Sequence, residues 1–305
     1  MTQLSKTTSL RADAAHPSCG ITTPHMVGPW QLVAPIAETR LSEIYRALPE
    51  AAAAGDGQPP YVVKLLRRQW RDDPQAVILF QREAVVGRML SHPNLVPVLA
   101  AGADVVPYVV MPYLHGQTLA RQMAAGRWPS LAHALWIARQ VAQALDALFR
   151  PRGWMHADIK PSNIHLGPDG HVTLLDLGLV RPAGQGASLA ERPVVGTMQY
   201  MAPEMLTSTL AADIRSDIYS LGVVLYEMLA RRLPFIAGEA ARLAVLHREA
   251  TPVPLAELVP HLPLPVAELV HRMLAKEPLR RPQSPRELIE TLGRLEIACF
   301  EYRAA

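Results

Sequence analysis

Cysteine is scarce in this 305-residue chain: only Cys19 and Cys299 occur, near opposite ends. Neither sits in a Cys-x-x-Cys pair or a Cys/His spacing, so neither a disulfide scaffold nor a thiolate metal site is expected, and a reducing compartment suits the sequence. Long apolar runs are missing too. Arg11 and Asp13 interrupt the N-terminal stretch, which lacks the apolar core of a signal peptide. The richest apolar run, LGVVLYEML at 221–229, is too short to cross a bilayer. A cytoplasmic location without a membrane span is expected. Charge of one sign is weak: 30 Lys and Arg against 27 Asp and Glu leave a net +3, scattered with no basic run, which argues against nucleic acid as a partner. No internal repeat is visible. What remains is an ordinary globular composition, 50% apolar and 19% charged, on a chain long enough to bury a substantial core.

Residues 1–27 are rich in Thr, Ser, Ala and Pro without a hydrophobic period and read as a tail. From Trp30 onward short β-type runs follow: WQLVAPI, EIYRAL, YVVKLL, LVPVLAAG and PYVVMPY. One helix interrupts them, opened by the cap Asp73 with Pro74 at the first helical position and closed at Ser91-His92-Pro93. After Tyr113 the character is mainly helical. Ser130 can cap a helix whose Leu131, Leu135, Ala138, Val141, Ala142, Leu145 and Leu148 share a face. Further helices are expected near 215–231, 238–249, 264–275 and 284–297. Five strands with one helix, then a helical half, give an α+β chain of two lobes.

The segment MHADIKPSNIHLGPDGHVTLLDLG at 155–178 carries the chemistry. Asp158, Lys160 and Asn163 lie within six positions, and Asp176 follows with Gly178 two residues later. Phosphoryl transfer needs positioning and charge neutralisation more than covalent steps. One carboxylate must orient and deprotonate the attacking hydroxyl, a second carboxylate and an amide oxygen can hold Mg²⁺, and a cation must reach the transferring phosphate. Asp158, Asp176, Asn163 and Lys160 supply those four groups.

On these motifs the sequence resembles the eukaryotic-like protein kinase family, in particular its bacterial Ser/Thr branch, over about residues 28–297. The resemblance implies a bilobal kinase fold: a five-stranded antiparallel N-lobe with one regulatory helix (28–112), a mainly helical C-lobe (113–297) and a C-terminal tail (298–305). VVK at 62–64 looks like the strand-lysine motif, making Lys64 a ligand of the ATP α- and β-phosphates, and FQREA at 80–84 offers Glu83 as its ion-pair partner. HPN at 92–94 matches the turn after that helix, and DLG at 176–178 stands for the metal-binding DFG. GTMQYMAPE at 196–204 resembles the end of an activation segment, where Glu204 would pair with Arg281 and Thr197 would contact Asp158 and Lys160. RSDIYSLG at 215–222 resembles the buried helix whose Asp217 braces the catalytic loop. The adenine pocket implied comprises Ile44, Val62, Met111 and His165, with Pro112 and Leu114 offering backbone groups. The activity implied is transfer of the ATP γ-phosphate, with Mg²⁺, to Ser or Thr hydroxyls of proteins, since a lysine two residues after the catalytic Asp is the Ser/Thr pattern.

The sequence also departs from that pattern. Ala37, Thr39 and Ser42 stand where the flap over the phosphates carries three glycines, so a stiffer flap and weaker ATP binding are expected. Val62 replaces the usual Ala and His165 an apolar pocket floor. Gly87 lies one turn after Glu83, where the family packs a side chain, so its helix is expected to be loosened. Ala157 replaces the Arg that pairs with a phosphorylated activation loop, so weak dependence on phosphorylation at Ser188 or its neighbours is expected. Taken singly, Lys64 fits a snorkelling strand lysine and Asp176 or Asn163 a turn cap; together with Asp158 they favour the kinase. The alternative is a pseudokinase, a module that binds nucleotide or a partner with little or no phosphoryl transfer. Regulation by a separate protein partner is expected.

Overall fold

The computed structural model describes residues 26–52, 59–103, 106–184, 198–207 and 212–304. The N-lobe is one antiparallel sheet in the order β1-β2-β3-β4-β6-β5, formed by β1 (Met26–Val27), β2 (Trp30–Glu38), β3 (Ser42–Pro49), β4 (Tyr61–Leu66), β5 (Ala100–Gly102) and β6 (Tyr108–Pro112). The sixth strand extends the sequence expectation. Gly28, at φ +54°, opens a tight turn with Pro29 that folds Met26–Val27 back onto β2, and Val27 is buried beside Tyr108. The last two residues assigned to the N-terminal tail are therefore part of the sheet.

Helix α1 (Pro74–Met89) crosses this sheet. Its cap forms as the sequence predicts, with the Asp73 carboxylate accepting from Gln75 N and Ala76 N, and it buries Ala76, Leu79, Phe80, Glu83, Val86 and Gly87.

The C-lobe is built from α2 (Leu119–Ala124), α3 (Leu131–Arg152), α4 (Pro203–Thr207), α5 (Ile214–Ala230), α6 (Ala240–Glu249), α7 (Leu255–Leu258), α8 (Leu264–Met273) and α9 (Pro285–Ala304). Along α3 the face carrying Leu135, Ala138, Val141, Ala142, Leu145 and Leu148 is buried, and Gly153 ends the helix in the left-handed region. Each such Leu or Val contributes about 2 kcal/mol over its exposed state, and the face packs on α5, which is buried almost all round. Helix α9 runs on to Ala304, through the stretch read as a C-terminal tail, because nothing in RLEIACFEYRA breaks a helix.

Short strands that hydrophobic periodicity does not resolve frame the cleft. β7 (Gln117–Thr118), β9 (Ile164–Leu166) and β10 (Val172–Leu174) form one small sheet, and β8 (Trp154–Met155) pairs with β11 (Arg181–Pro182). The chain from Trp154 to Pro182 therefore doubles back twice and returns its chemistry-bearing residues to one place.

Candidate active site

Strand alternation aims the N-lobe half of the site. Val62 and Lys64 are two residues apart on β4, hence on one face, and the register sets Ile44 opposite Lys64 and Met111 opposite Val62. Val62 is buried, whereas Ile44 and Met111 are half-buried. Met111 packs against apolar clusters of both lobes. Pro112 ends β6 and Leu114 follows it, both half-buried between the lobes. His165 lies on β9 opposite Thr118, and burial holds its imidazole below the usual histidine range, so the ring is neutral at pH 7.

Lys64 is the hinge of the electrostatics. Its Nζ lies 2.6 Å from Glu83 Oε2 on α1 and 3.2 Å from Asp176 Oδ1 beyond β10. Burial alone would lower the Lys64 pKa, but the two carboxylates outweigh it and raise it. Burial raises Glu83, opposed by Lys64. Burial would raise Asp176 as well, but Lys64 and Lys160 prevail and hold its carboxyl below the usual range. Asp176 itself adopts φ +62°, a left-handed conformation that a non-glycine residue holds only under constraint. Gly178 then passes so close to α1 that a Cβ there would lie 3.2 Å from the Leu79 carbonyl oxygen.

The C-lobe half is a braced loop. Asp217 on α5 accepts from the backbone N–H groups of His156 and Ala157, at 2.5 and 2.8 Å. Burial pushes the Asp217 carboxyl up to about 7, against the opposing pull of those two N–H groups and of Arg181. His156 is buried and neutral: its Nδ1 accepts from Asp158 N and its Nε2 donates to Leu175 O, which assigns it to packing rather than to proton transfer. Asp158 Oδ2 accepts from Lys160 Nζ at 2.7 Å and from Asn163 Nδ2 at 2.8 Å, while its buried Oδ1 has no hydrogen-bond partner among the described residues. That geometry leaves one carboxylate oxygen, oriented by two donors to its twin, able to accept a proton.

Asn163 commits its amide nitrogen to Asp158, so its oxygen is the atom that can face a cation. With the half-exposed Asp176 carboxylate this makes a pair of hard oxygen donors. Among the described residues no group of three or more His, Cys, Asp or Glu could hold a metal by itself. Two protein oxygens, with phosphate oxygens and water completing the shell, is the arrangement Mg²⁺ favours, and these residues fit it.

Glu204 and Arg281 form a bidentate pair at 2.6 and 2.9 Å, with the Arg281 side chain fully buried. Thr197, Gly196 and Ser188 lie outside the described residues.

Three features escape sequence reasoning. Asn94 of the HPN turn donates to Gln140 Oε1 and Val172 O, and its carbonyl accepts from Leu174 N, tying the N-lobe to α3 and β10; only its place in the turn hints at this. Gly87 touches rather than gaps: a Cβ there would lie 2.4 Å from Val98 Cγ2, and Val98 N donates to Gly87 O at 3.2 Å. The space expected to loosen α1 is filled by Val98. The flap is the third: in the β2–β3 turn, Thr39 N donates to Ser42 O at 2.8 Å and Ser42 N to Thr39 Oγ1 at 2.9 Å.

The protein kinase domain family matches residues 50–291, beginning just past β2 and β3, where the glycine-free flap lies. Similar curated proteins include the serine/threonine-protein kinase PknB of Mycobacterium leprae, 33% identical over 239 residues covering 76% of this chain and 38% of that protein. A probable serine/threonine-protein kinase of Clostridium acetobutylicum is 31% identical over 77% of this chain and 36% of its own length. PrkC of Bacillus subtilis is 31% identical over 74% and 35%. The chain thus aligns with little more than a third of these relatives' length.

Proposed function

The chain belongs to the protein kinase family, and from that premise we propose that it is a serine/threonine protein kinase, moving the γ-phosphoryl group of ATP to Ser or Thr hydroxyls of proteins. Asp158 is the catalytic base: its Oδ1 takes the proton of the attacking hydroxyl while Asn163 and Lys160 hold Oδ2. Lys64, held by Glu83, binds the α- and β-phosphates, and Lys160 lies beside the base to meet the transferring phosphate. Asn163 and Asp176 would hold Mg²⁺, which when bound neutralises charge on the β- and γ-phosphates. Ile44, Val62, Met111 and the neutral ring of His165 line the adenine pocket, with the backbone of Pro112 and Leu114 at its edge. The lysine two residues after Asp158 supports the Ser/Thr class.

The observation that carries this reading is Lys64 bridging Glu83 and Asp176, because it requires α1, β4 and the metal-binding turn to stand together in the arrangement transfer needs. A pseudokinase is the second reading, favoured by the flap, whose N–H groups at Thr39 and Ser42 are used within the turn. Among the described residues no helix is long and apolar enough to cross a membrane, and we place the protein in the cytoplasm, under control of a separate protein partner.

The test is incubation of the full chain with γ-labelled ATP and Mg²⁺ beside an Asp158→Asn control. Label on the chain itself or on a generic basic protein, lost in the control, supports the kinase. A Mg-ATP thermal shift without any transfer assigns the pseudokinase.

A further inference from the structure

The tip of the β2–β3 hairpin is held from outside the cleft. Its three consecutive carbonyls each receive a donor from the segment between β4 and α1. Arg67 Nη1 donates to Thr39 O at 3.2 Å, Trp70 Nε1 to Arg40 O at 2.9 Å and Arg67 N to Leu41 O at 2.8 Å. The Arg40 guanidinium lies over the Trp70 ring at 5.3 Å. Leu41 and Trp70 are half-buried and pack together against the cluster of Leu66, Ala76, Phe80, Val98 and Val109. The turn also closes on itself through Thr39 and Ser42.

We infer that Trp70 and Arg67 are positioning residues that lock the flap, so that it does not close over nucleotide as a mobile lid. A lid needs carbonyls and N–H groups able to exchange partners as it moves. Here the carbonyls at 39, 40 and 41 and the N–H groups at 39 and 42 already have partners, so closure would break several bonds and pull Leu41 from its apolar seat. Triphosphate recognition then falls to Lys64, Lys160 and the metal pair. The lock also joins the flap to the N-terminus of α1, the helix that carries Glu83, so flap and ion pair hold position together. The inference rests on the nucleotide-binding reading of the cleft for its consequence, but the lock itself does not.

Hydrogen exchange of the full chain tests it, with and without saturating Mg-ADP, on peptides spanning 36–44 and, as a control for global stability, 134–148. In the wild type, flap exchange should differ by less than about two-fold between the two conditions. Trp70→Phe, which keeps a ring but removes the indole donor, should speed flap exchange about five-fold without nucleotide, the share of one hydrogen bond, and make it ligand-sensitive. Arg67→Met, which keeps an apolar stem, provides a second, independent release. Protection of the wild-type flap by Mg-ADP of about ten-fold or more would overturn the lock, as would flap exchange unchanged in both variants. Should Mg-ADP fail to bind, shown by no thermal shift, the cleft reading falls, and the nucleotide-free comparison alone decides the lock.

Discussion

An alanine at position 87 should destabilise this protein, although the same change in an exposed helix would stabilise it. Replacing a mid-helix glycine by alanine ordinarily gains about 1 kcal/mol from backbone entropy. At Gly87 the new Cβ would lie 2.4 Å from Val98 Cγ2, 3.0 Å from Val98 Cβ and 3.4 Å from Val98 N. Valine cannot swing its branched side chain away, since it is buried and stiff at χ1. Nor can the backbone retreat freely, because Val98 N donates to Gly87 O at 3.2 Å. Overpacking costs about 1–3 kcal/mol, and so close an approach to a buried branched side chain puts it in the upper half, about 2–3 kcal/mol, so the net should be a loss of about 1–2 kcal/mol.

In a domain of this size that loss lowers Tm by roughly 3–6 °C. Differential scanning calorimetry or urea titration of Gly87→Ala, Val98→Ala and the double variant forms the cycle. With the Val98 methyls removed, Gly87→Ala should turn neutral or favourable, a coupling of about 2 kcal/mol. A rise in Tm for Gly87→Ala alone would refute the reasoning, since it would mean α1 stands off β5 and its approach, as a loosened helix would.

Other perturbations read other parts of the site. Lys64→Met leaves Glu83 buried with no counter-ion, so stability should fall by about 3 kcal/mol and labelled-phosphate transfer at least 100-fold, by denaturant titration and the ATP assay. His247, buried beneath Tyr219 and Phe235, is lowered to about 4 by burial and then by Lys276. The unfolded chain therefore binds a proton before the folded one, and stability present above about pH 6.5 should be lost as pH falls toward 4, by about 2 kcal/mol at about pH 5. Denaturant titrations at both pH values should show that slope flattened in His247→Gln, and an equal slope would discount the burial. Ala157 offers an activation-loop phosphate no cation, so autophosphorylated and unphosphorylated protein should differ less than about ten-fold in rate, by kinase assay with mass-spectrometric phosphosite mapping. Restoring glycine at 37, 39 and 42 removes the Thr39 Oγ1 acceptor but leaves Trp70 and Arg67 in place. It should therefore tighten Mg-ATP by less than about three-fold, by calorimetric titration, unless Trp70→Phe is added.

The parts of the molecule legible in the sequence are those whose chemistry is local. Asp73-Pro74 predicts where α1 begins because a cap and a proline act on the next turn. The α3 face is readable because a 3.6-residue period repeats over its length. Asp158, Lys160 and Asn163 are readable because the loop that carries them is short, so their spacing alone gathers them on one carboxylate. Strands of two or three residues, such as β7, β8 and β11, hold too few side chains to show a period, and their pairing is set by partners far along the chain.

The flap and Gly87 mark where motif reading leaves out the deciding contact, for one shared reason. A motif weighs both positions by what the side chain lacks or adds toward the cleft, yet in each the deciding partner comes from another element. Val98, just before β5, presses on Gly87, and Trp70 reaches the flap carbonyls from the α1 entry. Sequence spacing measures distance along one element and says nothing about which neighbour a packed element leans on. A glycine within a helix thus admits two opposite readings, slack or close approach, and only the distance to Val98 chooses between them. The same holds for a turn without glycine: its stiffness comes less from its own Cβ atoms than from carbonyls that a tryptophan and an arginine, roughly thirty residues away, have already engaged.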